Sequence, residues 1–327
     1  MRTSLPVWSL ATGLDQPDDL VLADGEVYVG ELGAAKIAVI AADGSVRRLP
    51  QTVPRPEGLA IWHLSLYVAD QANDRVVGVP LGGGPVVTVI QLQPVAGKEN
   101  LDGIGITSDG ILVVPDSARG VVNWVETGGR IVKQEGGFVR PTGVWVERDG
   151  GILVADEYGN SVVRIAPDGA RTVLVENLPI VDDVAEDGQG HVFVITPVVS
   201  GGRLAEIVSG QARDVVSGLL EPQGLAVDSA GNLIVSETSA GRVDLVIRNF
   251  KLVPVGAPAA PGQPICVHLV RAPGYSAPVS FESNGNVEVL RQPGTGDVGE
   301  VLLRGCSGGC QVMAGDGTSF DRLRITG

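Results

Sequence analysis

Short apolar runs of Val, Leu, Ile and Ala recur along the chain, broken at intervals by Gly, Asn, Asp and Pro. Alternation with a period of two, interrupted by such residues, predicts antiparallel strands joined by tight turns. The stretch "EPQGLAVDSAGNLIVSETSAGRVDLVI", residues 221–247, carries the plan in full. A strand "GLAVD" meets a turn "SAGN", a second strand "LIVSE" meets a polar turn, and a third strand "RVDLV" follows.

That plan recurs, beginning at Gln16, Arg55, Asn100, Arg140, Ile180 and Glu221. The equivalent anchor position falls at Asp19, Gly58, Gly103, Gly143, Asp183 and Gly224, with spacings of 39, 45, 40, 40 and 41 residues. A period near 40 suits one four-stranded propeller blade. One such sheet cannot bury both of its faces, so the copies must stack around an axis. The expected fold is all-β, a six-bladed β-propeller over residues 1–250, followed by a small C-terminal all-β module. The early segment "SLPVWSLATGL" occupies the slot of a fourth strand and is expected to complete the last blade. Residues 251–263, rich in Pro, Gly and Ala, read as a connector, and 264–327 as the module.

Composition narrows the partners. A net charge of −14, with 24 Lys and Arg against 38 Asp and Glu, excludes a nucleic-acid binder, which needs clustered cations to neutralise phosphates. Cations, neutral metabolites or basic protein patches are compatible. No run reaches the roughly 18 to 20 apolar residues of a membrane helix, and the first residues lack the apolar core of a signal peptide. All three cysteines, Cys266, Cys306 and Cys310, lie in the tail. Either a disulfide with one thiol left over or three buried thiols is expected, and a disulfide would suit an exported protein.

In a propeller the innermost strands run along the central channel, so the residue before each anchor repeats around one mouth. Those residues are Asp18, Glu57, Asp102, Thr142, Asp182 and Gln223. Four carboxylates and two neutral oxygen donors form the hard-oxygen set that Ca²⁺ or another divalent cation prefers, with Asp18, Glu57, Asp102 and Asp182 as the metal candidates. Crowded like charges raise one another's pKa unless a cation relieves them. A plainer reading makes these residues turn chemistry at a wet channel mouth. A second set, Glu31, Asp70, Asp116, Asp156 and Glu237 with Thr196, ends the second strands and reads as turn-capping. His63 and His191 fall in turns and His268 in the tail, away from the channel, and no GxSxG or phosphate-binding motif occurs. Trp62, Trp124 and Trp145 read as blade-to-blade packing.

The pattern P-x-G-[LIV]-A-V-D-x-x-G-N-L-x-V-[AS]-[DE]-x-x-x-x-R-V, over roughly residues 5–250, resembles the NHL-repeat family of six-bladed propellers and, more distantly, the gluconolactonase group. The gluconolactonase resemblance implies a metal held by acidic and Asn residues just before the anchor, with an acidic residue as general base. By position Asp18 is the first carboxylate, Thr142 stands where Asn is expected, and Asp182 or Gln223 where the catalytic Asp is expected. The amidating and streptogramin lyases that the pattern also resembles rely on His, which the channel lacks. Two readings follow. One is a non-catalytic module that binds a small molecule, glycan or protein on a propeller face. The other is a divalent-metal-dependent hydrolase with Asp182 or Asp102 as base.

Overall fold

The computed structural model describes residues 3–42, 44–199, 201–255, 263–283, 286–303 and 310–325. Among these residues there is no α-helix, and no helix long and apolar enough to cross a membrane. Residues 7–246 form six four-stranded sheets in chain order. The first comprises Pro17–Ala23, Glu26–Glu31, Lys36–Ile40 and Val46–Arg48. The sixth comprises Pro222–Val227, Leu233–Glu237, Arg242–Val246 and, on its outer edge, the early strand Val7–Thr12.

Local chemistry explains the hairpins. Ala23 pairs with Glu26 across Asp24 (φ 52°) and Gly25 (φ 80°), the left-handed pair that a tight two-residue turn requires. In "DSAGN" the Asp228 carboxylate accepts the amides of Ala230 and Asn232 at 2.9 Å each, holding the turn from within.

The second strands are apolar runs because each is covered on both faces: Ser65–Asp70 and Val192–Thr196 are buried almost throughout. The outermost Val46–Arg48 is exposed. Trp62, Trp124 and Trp145 pack against the apolar clusters.

The chain divides into two compact units, one of Met1–Thr3, Ser9–Ala226 and Ile234–Asp244, the other of Ser4–Trp8, Val227–Leu233 and Leu245–Gly327. Within the second unit, Phe250–Val255, Pro264–Arg271, Val298–Leu303 and Val287–Arg291 form one sheet. Ser280–Glu282, Cys310–Gly315 and Phe320–Ile325 form another. Their apolar residues, among them Phe250, Val267, Phe281 and Val312, make one core. Residues 251–255 are thus strand where the composition suggested connector, because Phe250 and Leu252 supply apolar side chains to that core; 256–262 lie outside the described residues. Cys266 is a free thiol and Cys310 is disulfide-bonded, while Cys306 lies outside the described residues.

Candidate functional site

The anchor positions bring the first strands into contact. A Cβ on Gly58 would stand 2.4 Å from the Asp102 carbonyl oxygen, and one on Gly224 2.7 Å from that of Asp18, so only glycine permits these approaches. Gly103 approaches Gly143, whose amide donates to the Asp182 carbonyl at 2.9 Å. Where the anchor is aspartate the side chain makes the link instead. Asp19 accepts the Leu59 amide at 2.8 Å, and Asp183 accepts that of Leu225 at 2.9 Å. Contacts therefore run from each first strand to the next and from the sixth back to the first.

The residues before the anchors meet at one end of this ring. Asp18, Glu57, Asp102, Asp182 and Gln223 line one cavity of about 360 Å³. Thr142, the sixth expected member, does not line it. Its side chain is buried, and its hydroxyl donates to the Asp182 carbonyl at 2.7 Å, so it joins the fourth sheet to the fifth.

Glu99, Glu157 and Glu221 also reach the cavity, as do Arg55 and Arg140. Arg55 binds Glu57 at 2.8 Å and reaches Glu99 at 3.8 Å. Arg140 binds Asp102 at 3.2 Å, Glu99 at 3.3 Å and Glu157. The sequence reading missed both arginines, although each stands two residues before a mouth position in "RPEG" and "RPTG". Glu99, which bridges them, belongs to the long 45-residue interval before the third anchor.

Seven carboxylates thus face two guanidinium groups. Among the described residues, Asp18 and Asp182 have no salt bridge, and the only hydrogen bond to the Asp18 carboxylate is from the Asp19 amide to Oδ1. Burial, then the charges of Glu57, Asp102 and Asp182, hold the Asp18 carboxyl well above the usual range. Asp182 is raised likewise, by burial and then by Asp102. Burial pushes Glu57 up to about 8 despite Arg55, and Asp102 up to about 6 despite Arg140. Behind the mouth, burial raises Asp183 to about 7 against the two amides that favour its ionised form. The side-chain oxygen of Gln223 is buried with no hydrogen-bond partner among the described residues.

Glu57 and Asp102 are engaged by arginines, and no group of three or more His, Cys, Asp or Glu side chains that could hold a metal occurs among the described residues.

The second-strand carboxylates have structural partners. Glu31 accepts the Asp15 amide and binds Arg48; Asp70 binds Arg75; Asp116 accepts the Arg119 amide. Asp156 accepts the amides of Val139 and Arg140, and Glu237 that of Leu220. Most of these amides precede the first strand of the same sheet. Thr196 is buried. His63 stacks beside Trp62 at 4.2 Å and His191 binds Asp187 at 2.8 Å, so neither faces the cavity; His268 lies on a strand of the C-terminal unit.

No protein-family model and no curated protein sequence matches the chain. Solved structures do. Virginiamycin B lyase from Staphylococcus aureus superposes with a TM-score of 0.54 at 14% identity, over 92% of this chain and 99% of the lyase. A putative gluconolactonase gives 0.58 at 15% identity, over 75% of this chain and 93% of its own. A chain of the nidogen/laminin complex gives 0.54 at 18%, over 64% of this chain and 83% of that one. The fold is a β-propeller, and at these identities the likeness carries no activity across.

Proposed function

We propose that the protein is a non-catalytic, six-bladed propeller of the NHL type that binds a positively charged group in the acidic cavity at the mouth of its ring. The charge imbalance of that cavity supports the reading. Asp18 and Asp182 are held in a carboxylate cluster with no salt-bridge partner among the described residues, and both are driven toward protonation by burial and by their neighbours. A bound ammonium or guanidinium group supplies the missing counter-charge and gives the ionised forms a partner. The buried oxygen of Gln223 adds a neutral acceptor. The disulfide at Cys310 suits an exported setting.

Binding must then release protons, because a cation favours ionised carboxyls. Affinity for n-butylammonium, measured by calorimetry in the full chain, is expected to rise between pH 6 and pH 8.5, across the range in which Glu57, at about 8, loses its proton. Asp18→Asn and Asp182→Asn should each weaken it at least about tenfold, or about 1.4 kcal/mol. Absence of binding at pH 8.5 would falsify the proposal.

One observation favours a second reading, the divalent-metal-dependent hydrolase. Asp102, pushed up to about 6, titrates close to neutrality, where a general base works best. Calcium titration with lactone turnover separates the two. Calcium binding and hydrolysis, both lost in Asp102→Asn, would support the hydrolase.

A further inference from the structure

Six exposed apolar side chains stand at the same end of the sheets as the acidic cavity: Val139, Tyr158, Ile180, Val198, Val199 and Leu220. Val139 precedes and Tyr158 follows the antiparallel pair that aligns Pro141 with Asp156. Ile180 precedes Asp183–Glu186, Val198 and Val199 follow Val192–Thr196, and Leu220 precedes Pro222–Val227. Tyr158 itself lines the cavity, as do Arg140, Pro197 and Glu221, the chain neighbours of Val139, Val198 and Leu220. The Glu221 amide donates to the Val198 carbonyl at 3.1 Å, which holds two of these segments together. Val139 and Tyr158 continue into an adjoining cavity of about 560 Å³.

The arrangement is one-sided. Among the described residues of the first three sheets, the exposed large apolar side chains lie elsewhere, Leu64 in an opposite turn and Val46, Val87, Ile131 and Val132 on fourth strands. The arc therefore covers only the fourth to sixth sheets. Its exposure is large, 65% for Val199, 63% for Tyr158 and 62% for Val139.

We propose that this arc docks a protein partner, which inserts one Lys or Arg side chain into the acidic cavity and lays flanking apolar side chains across Val139, Tyr158, Val198 and Val199. The inference rests on the cavity's accepting a cation and adds where that cation comes from. A small molecule that fills about 360 Å³ would leave an arc over three sheets uncovered, whereas a polypeptide covers both. A charged anchor in a pocket, ringed by apolar contacts that exclude water, is how interfaces concentrate their affinity. The acidic cavity supplies the charge complementarity that fixes the sign of the anchor.

The test is selection of displayed random heptapeptides against the full chain, with the Val139→Ser/Val199→Ser double variant as counter-target and n-butylammonium titrated into both proteins. The expected result is a recovered consensus of one Lys or Arg beside apolar residues. Those peptides should bind the wild-type chain at least about tenfold more tightly than the double variant, while n-butylammonium binds both proteins equally. If n-butylammonium binds but no such consensus emerges, or the peptides bind the double variant as tightly, the docking surface is refuted and the cation-binding cavity stands. If neither n-butylammonium nor basic peptides bind, both readings fall.

Discussion

Raising the pH should weaken this fold over a range in which most proteins are steady, and Glu57 allows the size of the effect to be worked out. Its carboxyl is raised from 4.5 to about 8, mainly by burial and then by Asp102. A group whose folded pKa exceeds its unfolded value stabilises the fold at low pH, and that contribution is lost as pH rises through the folded value. Between pH 5.5 and 8.5 this one group accounts for about 3 kcal/mol. Asp18, Asp19 and Asp182 are shifted in the same direction, so the whole cluster pushes the same way. For a urea dependence near 3 kcal/mol per molar, the wild-type midpoint should fall by roughly 1 M across that interval. Glu57→Gln removes the titrating group and should flatten the fall. Urea melts at the two pH values, read by tryptophan fluorescence, provide the assay. A wild-type midpoint that holds or rises between pH 5.5 and 8.5 would refute the reasoning, as would a Glu57→Gln profile parallel to wild type.

Other expectations concern the ring itself. Gly224→Ala places a methyl 2.7 Å from the Asp18 carbonyl oxygen and should cost about 1–3 kcal/mol in thermal or urea melts. Gly128→Ala, with nothing within 4 Å, should be close to neutral. Thr142→Ala removes the hydroxyl bond to Asp182 and should cost about 1 kcal/mol while leaving n-butylammonium affinity unchanged, since the side chain does not face the cavity. Asp183→Ala strands the buried Leu225 amide and should cost roughly 1–3 kcal/mol, of which Asp183→Asn, retaining one oxygen acceptor, should recover part.

The repeat was legible because every sheet must solve the same local problem: an apolar run covered on both faces, a turn that needs Gly or Asx, and a close approach at the anchor. Those constraints act within a few residues, so they appear in the sequence at a fixed period. The mouth positions followed from the same period, and Asp18, Glu57, Asp102, Asp182 and Gln223 do share one cavity. Whether a given mouth residue faces the cavity or the next sheet depends on packing across sheets. Thr142 turned to a carbonyl, and nothing in "RPTG" signals that. Arg55 and Arg140 were overlooked because their roles arise only when residues some forty or more positions apart come together, as in the contact of Arg140 with Glu99. The long interval before Gly103 was visible, but that it delivers Glu99 between the two arginines was not.

The outer strand of the sixth sheet is the first strand of the chain, and Ser9 finds Asp244 at 2.6 Å across 235 residues. At synthesis rates of about 5–20 residues per second, that strand emerges roughly 10 to 50 seconds before its partner exists. For that time its hydrogen-bonding edge is open to any other chain. Once paired, it joins the beginning of the ring to its end, so neither end of the sheet can peel away without the other.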